Sequence, residues 1–208
     1  ELQKNFVITK YIYVLTRFPN LTSLTLKSFQ DAPMVLKALD SLSEIKFTKS
    51  LKHLQVNAMI IKPESHNPWV QENQPITSTD TFQYLNRFIL KCDNLESLEL
   101  IGMSIVDHLE DLIMAVKRPK LKKLSIPYNG ITSEFCECFK HMFNFKTLEE
   151  LNLSSNWFGM DGMSRFKSQF SKFENLKVLH LASNKLCNEE FYDTRQFRDA
   201  LFSVTGTL

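Results

Sequence analysis

A six-residue pattern with leucine or another aliphatic residue at its first, fourth and sixth places constrains this chain more than any other feature. Leu21, Leu24 and Leu26 make the first copy, Leu51, Leu54 and Val56 the second, Leu95, Leu98 and Leu100 the third. Leu121, Leu124 and Ile126, then Leu148, Leu151 and Leu153, then Leu176, Leu179 and Leu181 complete six. Successive first leucines lie 30, 44, 26, 27 and 28 residues apart. Places four and six share one face of a strand, so each copy predicts a short strand with one apolar face. Between strands the apolar period lengthens. Leu109, Leu112, Ile113 and Val116 form a helical stripe, as do Phe82, Leu85, Ile89 and Cys92, and Met163, Phe166, Phe170 and Phe173. Val35, Ala38, Leu39 and Leu42, and Phe135, Phe139, Met142 and Phe143, make two more, and Asp80 reads as a helix N-cap. Each unit is thus a strand, a turn and a helix of three or four turns, which buries its apolar face only by stacking on its neighbours.

The last three copies carry asparagine at the ninth place (Asn129, Asn156 and Asn184) and an apolar residue two further on (Ile131, Phe158 and Leu186). With Leu-Asn-Leu-Ser-Ser-Asn-Trp-Phe-Gly at 151–159, the pattern resembles the leucine-rich repeat family over nearly the whole chain. The period near 28 with genuine helices resembles its ribonuclease-inhibitor-like subclass. The resemblance implies an α/β fold: a right-handed leucine-rich repeat solenoid, or horseshoe, with a parallel sheet on the concave side and helices on the convex side. It implies one domain over residues 1–208, with about six repeats whose strands begin near 21, 51, 95, 121, 148 and 176. Residues 2–18 read as a helix without a strand of its own and 188–204 as the helix of the sixth unit, as expected of part of a longer repeat array. The ninth-place asparagine is expected to cap backbone groups that the turn leaves unpaired. Phe29, Met59 and Met103 stand there in the first three copies, whose turns must satisfy their backbone differently.

Composition narrows the function. A net charge of +2 with 43% hydrophobic residues fits a packed domain rather than a disordered chain, and lacks the basic excess of a polyanion binder. No apolar run is long enough to span a bilayer, and the first residues do not read as a secretory signal. Of the four cysteines, Cys136 and Cys138 point to different helix faces, Cys92 ends a helix and Cys187 follows a strand. They read as small buried residues of an intracellular protein, cytoplasmic or nuclear, and not as a metal or disulfide set. His53 and His180 fall on strands two and six, roughly 19 Å apart at about 4.8 Å per strand, and cannot share a proton relay. No nucleophile triad, carboxylate pair or phosphate loop is present in the sequence, so the chain reads as no enzyme, with no cofactor, no metal and no small-molecule substrate.

Binding residues are expected in three places. Strand places three, five and seven face away from the leucines. At place three these are Ser23, His53, Ser97, Lys123, Glu150 and Val178; at place five, Thr25, Gln55, Glu99, Ser125, Asn152 and His180. Place seven supplies Lys27, Asn57, Ile101, Pro127, Ser154 and Ala182. The run Lys117, Arg118, Lys120, Lys122, Lys123 resembles a nuclear localisation signal or an anion patch. Place two, however, alternates in sign through Glu96, Lys122, Glu149 and Lys177, and Lys123 borders Glu150, so sheet pairing accounts for part of the run. Lys117, Arg118 and Lys120 are left as the candidate patch. The long second interval holds an insertion at 61–79 that carries Pro63, Pro68, Pro75 and Trp69. Insertions in one repeat are not required by the repeat geometry, and an exposed tryptophan anchors partners. Trp69 equally serves to cover the irregular turn at Met59. With His53, Gln55 and Asn57 of the same repeat, it is the expected protein-binding site.

Three functions compete. The first is a protein-protein interaction scaffold that uses the concave face and the insertion rim. The second is a structural subunit of a large assembly, with its 17 phenylalanines buried by neighbours. The third resembles a GTPase-activating protein of the Ran type, which calls for an arginine at the strand exits. None of the arginines directly follows a strand, which weighs against it. The resemblance implies protein partners, with no membrane insertion and no nucleic acid.

Overall fold

In the computed structural model, the described residues are 15, 17–27, 37, 40, 46–57, 79–117, 120–133, 146–170 and 172–186. The chain divides into two compact units, Glu1–Ser104 and Ile105–Leu208. In the first, strands β1 (Ser23–Lys27), β2 (His53–Asn57) and β3 (Ser97–Ile101) pair in parallel in chain order. The register matches like places of the repeat: Leu24 with Leu54 and Leu98, and Leu26 with Val56 and Leu100. In the second, β4 (Lys123–Ser125), β5 (Glu150–Asn152) and β6 (Val178–His180) do the same, aligning Leu124, Leu151 and Leu179. Helix α1 (Thr79–Lys91) belongs to the first unit, and α2 (Leu109–Val116) and α3 (Gly159–Phe170) to the second. This is an α/β repeat fold like that of leucine-rich repeats.

The apolar pattern explains each core. In the first unit Leu51, Leu54, Leu95, Leu98 and Leu100 are buried with Phe82, Leu85, Phe88 and Ile89 of α1. Phe47, in the 3-10 turn Lys46–Lys49, is buried with them. In the second unit Leu121, Leu124, Ile126, Leu148, Leu151 and Leu153 are buried, as are Leu112 and Ile113 of α2 and Met163 and Phe166 of α3. The helices differ in detail from the periodic reading. α2 has only 8 residues and follows a 3-10 turn, Ile105–His108, because Pro119 forbids helix just beyond it. Asp80 falls at the start of α1 as expected. Phe173 lies beyond the end of α3, edge-on to Phe166 at 6.2 Å between ring centroids. The expected helices at 2–18, 35–42, 135–143 and 188–204, and Phe29, Met59, Cys136, Cys138 and Cys187, lie outside the described residues, apart from positions such as Leu15 and Phe18.

Polar atoms join neighbouring repeats on both sides of the strands. Upstream, the place-two carbonyl accepts two N–H groups of the next repeat. Thr22 O takes Lys52 N and His53 N at 2.8 and 3.0 Å, Lys122 O takes Glu149 N and Glu150 N, and Glu149 O takes Lys177 N and Val178 N. The residue just before place one adds a side-chain bond to the preceding repeat. Ser50 Oγ donates to Leu21 O (3.0 Å), Thr147 Oγ1 to Leu121 O (2.9 Å), Asn94 to Lys49 O and Asn175 to Lys146 O. Downstream, Asn156 is fully buried. Its Oδ1 accepts Asn129 N and Ile131 N of the preceding repeat at 3.0 and 3.1 Å, and its Nδ2 donates to Leu153 O at 2.8 Å and Ile126 O at 3.1 Å. Asn184 Nδ2 bonds Leu153 O and Leu181 O, both at 2.9 Å, but among the described residues its buried Oδ1 has no hydrogen-bond partner.

The turns around place nine are left-handed. Place eight has positive φ in Gly102, Tyr128, Ser155 and Ser183, and place ten in Ser104, Gly130 and Lys185. The third copy keeps this turn without asparagine: Met103 is buried at the ninth place, and Gly102 and Ser104 supply the two left-handed residues. Non-glycine residues adopt this region only when surroundings hold them there. The ninth-place side chain, packed inward, is what holds them.

Leu151→Ala, which truncates the middle rung of the second core, is expected to cost about 2–5 kcal/mol in urea denaturation. An unchanged transition would contradict the observed register. Asn156→Ala should cost about 1–3 kcal/mol, since it strands buried N–H and C=O groups of two repeats. Asn184→Ala should cost less, because its Oδ1 receives no hydrogen bond from the described residues; equal losses would contradict this difference.

Candidate functional site

The face opposite the leucines positions the candidate binding residues. In the first unit, register places His53 between Ser23 and Ser97, Gln55 between Thr25 and Glu99, and Asn57 between Lys27 and Ile101. The structure therefore brings His53, Gln55 and Asn57 together along β2. They are exposed or half-buried because strand alternation turns Leu54 and Val56 the other way. Gln55 Nε2 donates to Glu99 Oε2 at 2.9 Å, which fixes both side chains across two strands. An open depression of about 200 Å³ lies here, lined by Ser23, Thr25, His53, Gln55, Ser97 and Glu99 among others. Its groups can donate and accept hydrogen bonds and carry one carboxylate. Trp69, the fourth member of the expected site, lies outside the described residues, as does the insertion up to residue 78; Thr79 already begins α1.

The second unit's face is more strongly charged. Glu150 Oε1 lies 3.3 Å from Lys123 Nζ on β4 and 3.7 Å from His180 Nε2 on β6. The sequence aligns His180 with Asn152, and the register confirms that, but the longer side chain also reaches diagonally to Glu150. Ser125 and Pro127, expected to face solvent, are buried. Ser125 is too short to stand clear of the longer residues beside it in the sheet, such as Asn152. Pro127 sits in the turn where its carbonyl accepts Asn129 Nδ2 at 2.9 Å.

The basic run resolves into sheet and helix chemistry. Lys177 Nζ reaches Glu149 Oε2 at 2.7 Å, and the same place-two column pairs Lys52 with Glu96 at 3.0 Å in the first unit. The hydrogen bond from Lys177, then its charge and that of Lys122, hold the Glu149 carboxyl below the usual carboxylate range. Lys117 is exposed at the C-cap of α2, where a cation complements the helix dipole, and Lys120 is exposed just before β4. Arg118 lies outside the described residues, so the structure does not join the three as one patch. Arg87 and Arg165 sit on α1 and α3 with Asp40 and Asp161 as partners, away from the strand exits. Among the described residues, no group of three His, Cys, Asp or Glu could hold a metal ion, and no helix is long and apolar enough to cross a membrane.

Sequence reasoning passed over Trp157. It stands at the tenth place, 53% exposed, with Lys185 Nζ of the next repeat 4.7 Å from its ring centroid. Its signal was the inward-outward-inward order of Asn156, Trp157 and Phe158, which turns the middle residue outward.

No protein-family model matches the chain, and no curated protein matches it. Among solved structures it is similar to an internalin from Listeria monocytogenes, at 18% identity and a TM-score of 0.46, over 92% of this chain and 47% of that one. A protein from Bacteroides fragilis is similar at 14% identity and a TM-score of 0.39, over 79% of this chain and 60% of that one. The chain spans less than two thirds of either. Likenesses this distant carry no argument, and the repeat fold rests on the strand register and the asparagine turns.

The Glu149 carboxyl is depressed in the folded state, so its favourable contribution is present above the unfolded value and is lost as pH falls through the folded one. Lys177→Met should return the Glu149 carboxyl titration, followed by NMR, toward the usual carboxylate range. No upward movement would show that Lys177 is not the cause.

Proposed function

We propose that the chain is a non-catalytic protein-protein interaction scaffold whose binding site combines His53, Gln55 and Asn57 with Trp69 of the insertion at 61–79. One observation carries this reading: three strands in fixed register direct Ser23, Thr25, His53, Gln55, Ser97 and Glu99 onto one open depression. Groups mounted on paired strands lose little freedom when a partner fixes them, so their hydrogen bonds go further toward affinity. The depression is open and polar, suited to the side chains of another macromolecule rather than to enclosing a small molecule. Pro63, Pro68 and Pro75 limit the freedom that the insertion loses on binding. The same reading takes the array as ribonuclease-inhibitor-like, one right-handed solenoid with the sheet concave, and working inside the cell.

Affinity capture from extract should compare the wild type with Trp69→Ala, His53→Ala and a chain in which 61–78 is replaced by a short polar turn. Proteins retained by the wild type and lost from all three, with melting temperature unchanged, are the expected result. Equal retention by every variant would remove this site. Loss only in variants that also melt early would assign the insertion to folding instead.

A further inference from the structure

The tenth place of the repeat forms a row in the second unit: Gly130, Trp157 and Lys185. The Trp157 backbone is held in place. Its N–H donates to Ile131 O at 2.7 Å, it bridges Thr132, and its neighbours Asn156 and Phe158 are buried on either side. Lys185 is likewise fixed by a left-handed backbone (φ 53) beside buried Asn184. On the other flank Gly130 (φ 71) contributes no side chain. Of the turn residues 126–133, 153–159 and 181–186, Lys185 alone carries a formal charge; Thr132, Ser155 and Ser183 add hydroxyls.

We propose that this row docks an acidic segment of a partner protein. An apolar or aromatic residue of the segment packs on the Trp157 indole beside Gly130, and a neighbouring carboxylate pairs with Lys185. The proposal rests on the scaffold reading and adds a contact surface on residues outside the His53 site. A rigid indole presents a large contact area with little ordering cost, which is why tryptophan dominates binding energies where it is presented. Among the described residues Lys185 has the Trp157 ring but no carboxylate beside it, and its charge sets the sign of the partner. A protein segment fits better than a nucleic acid, because affinity for a polyanion requires several cations along its backbone and the row supplies one.

A Trp69→Phe chain reports Trp157 emission alone. Titration at low salt uses a synthetic peptide alternating glutamate and phenylalanine, the same peptide with lysine for glutamate, and a single-stranded oligothymidine. Calorimetry with the unaltered chain repeats the titrations without the Trp69 change. The expected result is a blue shift and binding heat with the glutamate peptide alone, weakened roughly tenfold by Lys185→Glu and by Trp157→Ala. Iodide should also quench Trp157 more than caesium does, and Lys185→Glu should reverse that order. Equal binding of the lysine peptide, or binding unchanged by Lys185→Glu, overturns the proposal. Binding of the oligothymidine in place of the glutamate peptide overturns it in favour of nucleic acid. None of these outcomes touches the His53 site, which extract capture tests separately.

Discussion

Everything in the second unit depends on the way a buried primary amide closes the turn after each strand. A parallel repeat must reverse into its helix within a few residues, and the reversal strands backbone groups in a place water does not reach. Asn156 answers both needs at once, accepting two N–H groups of the preceding repeat and donating to carbonyls of its own and that repeat. A side chain with donor and acceptor at one end is required there; aspartate lacks the donor and leucine both. The amide also holds Ser155 in the left-handed region, a strained setting for serine. In the first unit's last turn Met103 fills the same space with apolar volume, and Gly102 relieves the strain at place eight. Two solutions to one geometric problem thus occur in a single chain.

The upstream side is held by a looser rule. Ser50, Asn94, Thr147 and Asn175 all donate to a carbonyl of the preceding repeat, yet they share no single residue type. Any short donor suffices, because the accepting carbonyl lies close to the strand start. The place-two charges add exposed pairs, Lys52 with Glu96 and Glu149 with Lys177, which solvent screens and which favour the correct register more than they stabilise the fold.

This contrast explains what could be read from the sequence. The leucines at places four and six match the register observed within each unit, because burial accepts few residue types and repeats them. The asparagine turn was legible at Asn129, Asn156 and Asn184 for the same reason. The upstream ladder was not, since serine, threonine and asparagine there look like ordinary loop residues. The left-handed backbone at Tyr128, Ser155 and Ser183 was hidden as well, because none is glycine. Places three, five and seven were read as uniformly exposed from alternation alone; Ser125 and Pro127 show that side-chain length and turn geometry decide exposure within that rule. His53, Gln55 and Asn57 were placed correctly along β2, but the Gln55–Glu99 bond that fixes them depends on rotamers that no pattern specifies.

Those constraints also determine where this fold is free to vary. Inward places are committed to leucine or another aliphatic residue, and the ninth place to an amide or an apolar substitute. The strand faces partly neutralise themselves, as Lys123, Glu150 and His180 do. The tenth place faces outward directly beside the most constrained residue of the repeat, so its side chain is optional while its backbone is not. Glycine, tryptophan and lysine occupy it in three successive repeats, a range no packing requirement would allow. A position of free chemistry on a fixed backbone is where a repeat protein can acquire binding without disturbing its core, and Trp157 stands at such a position.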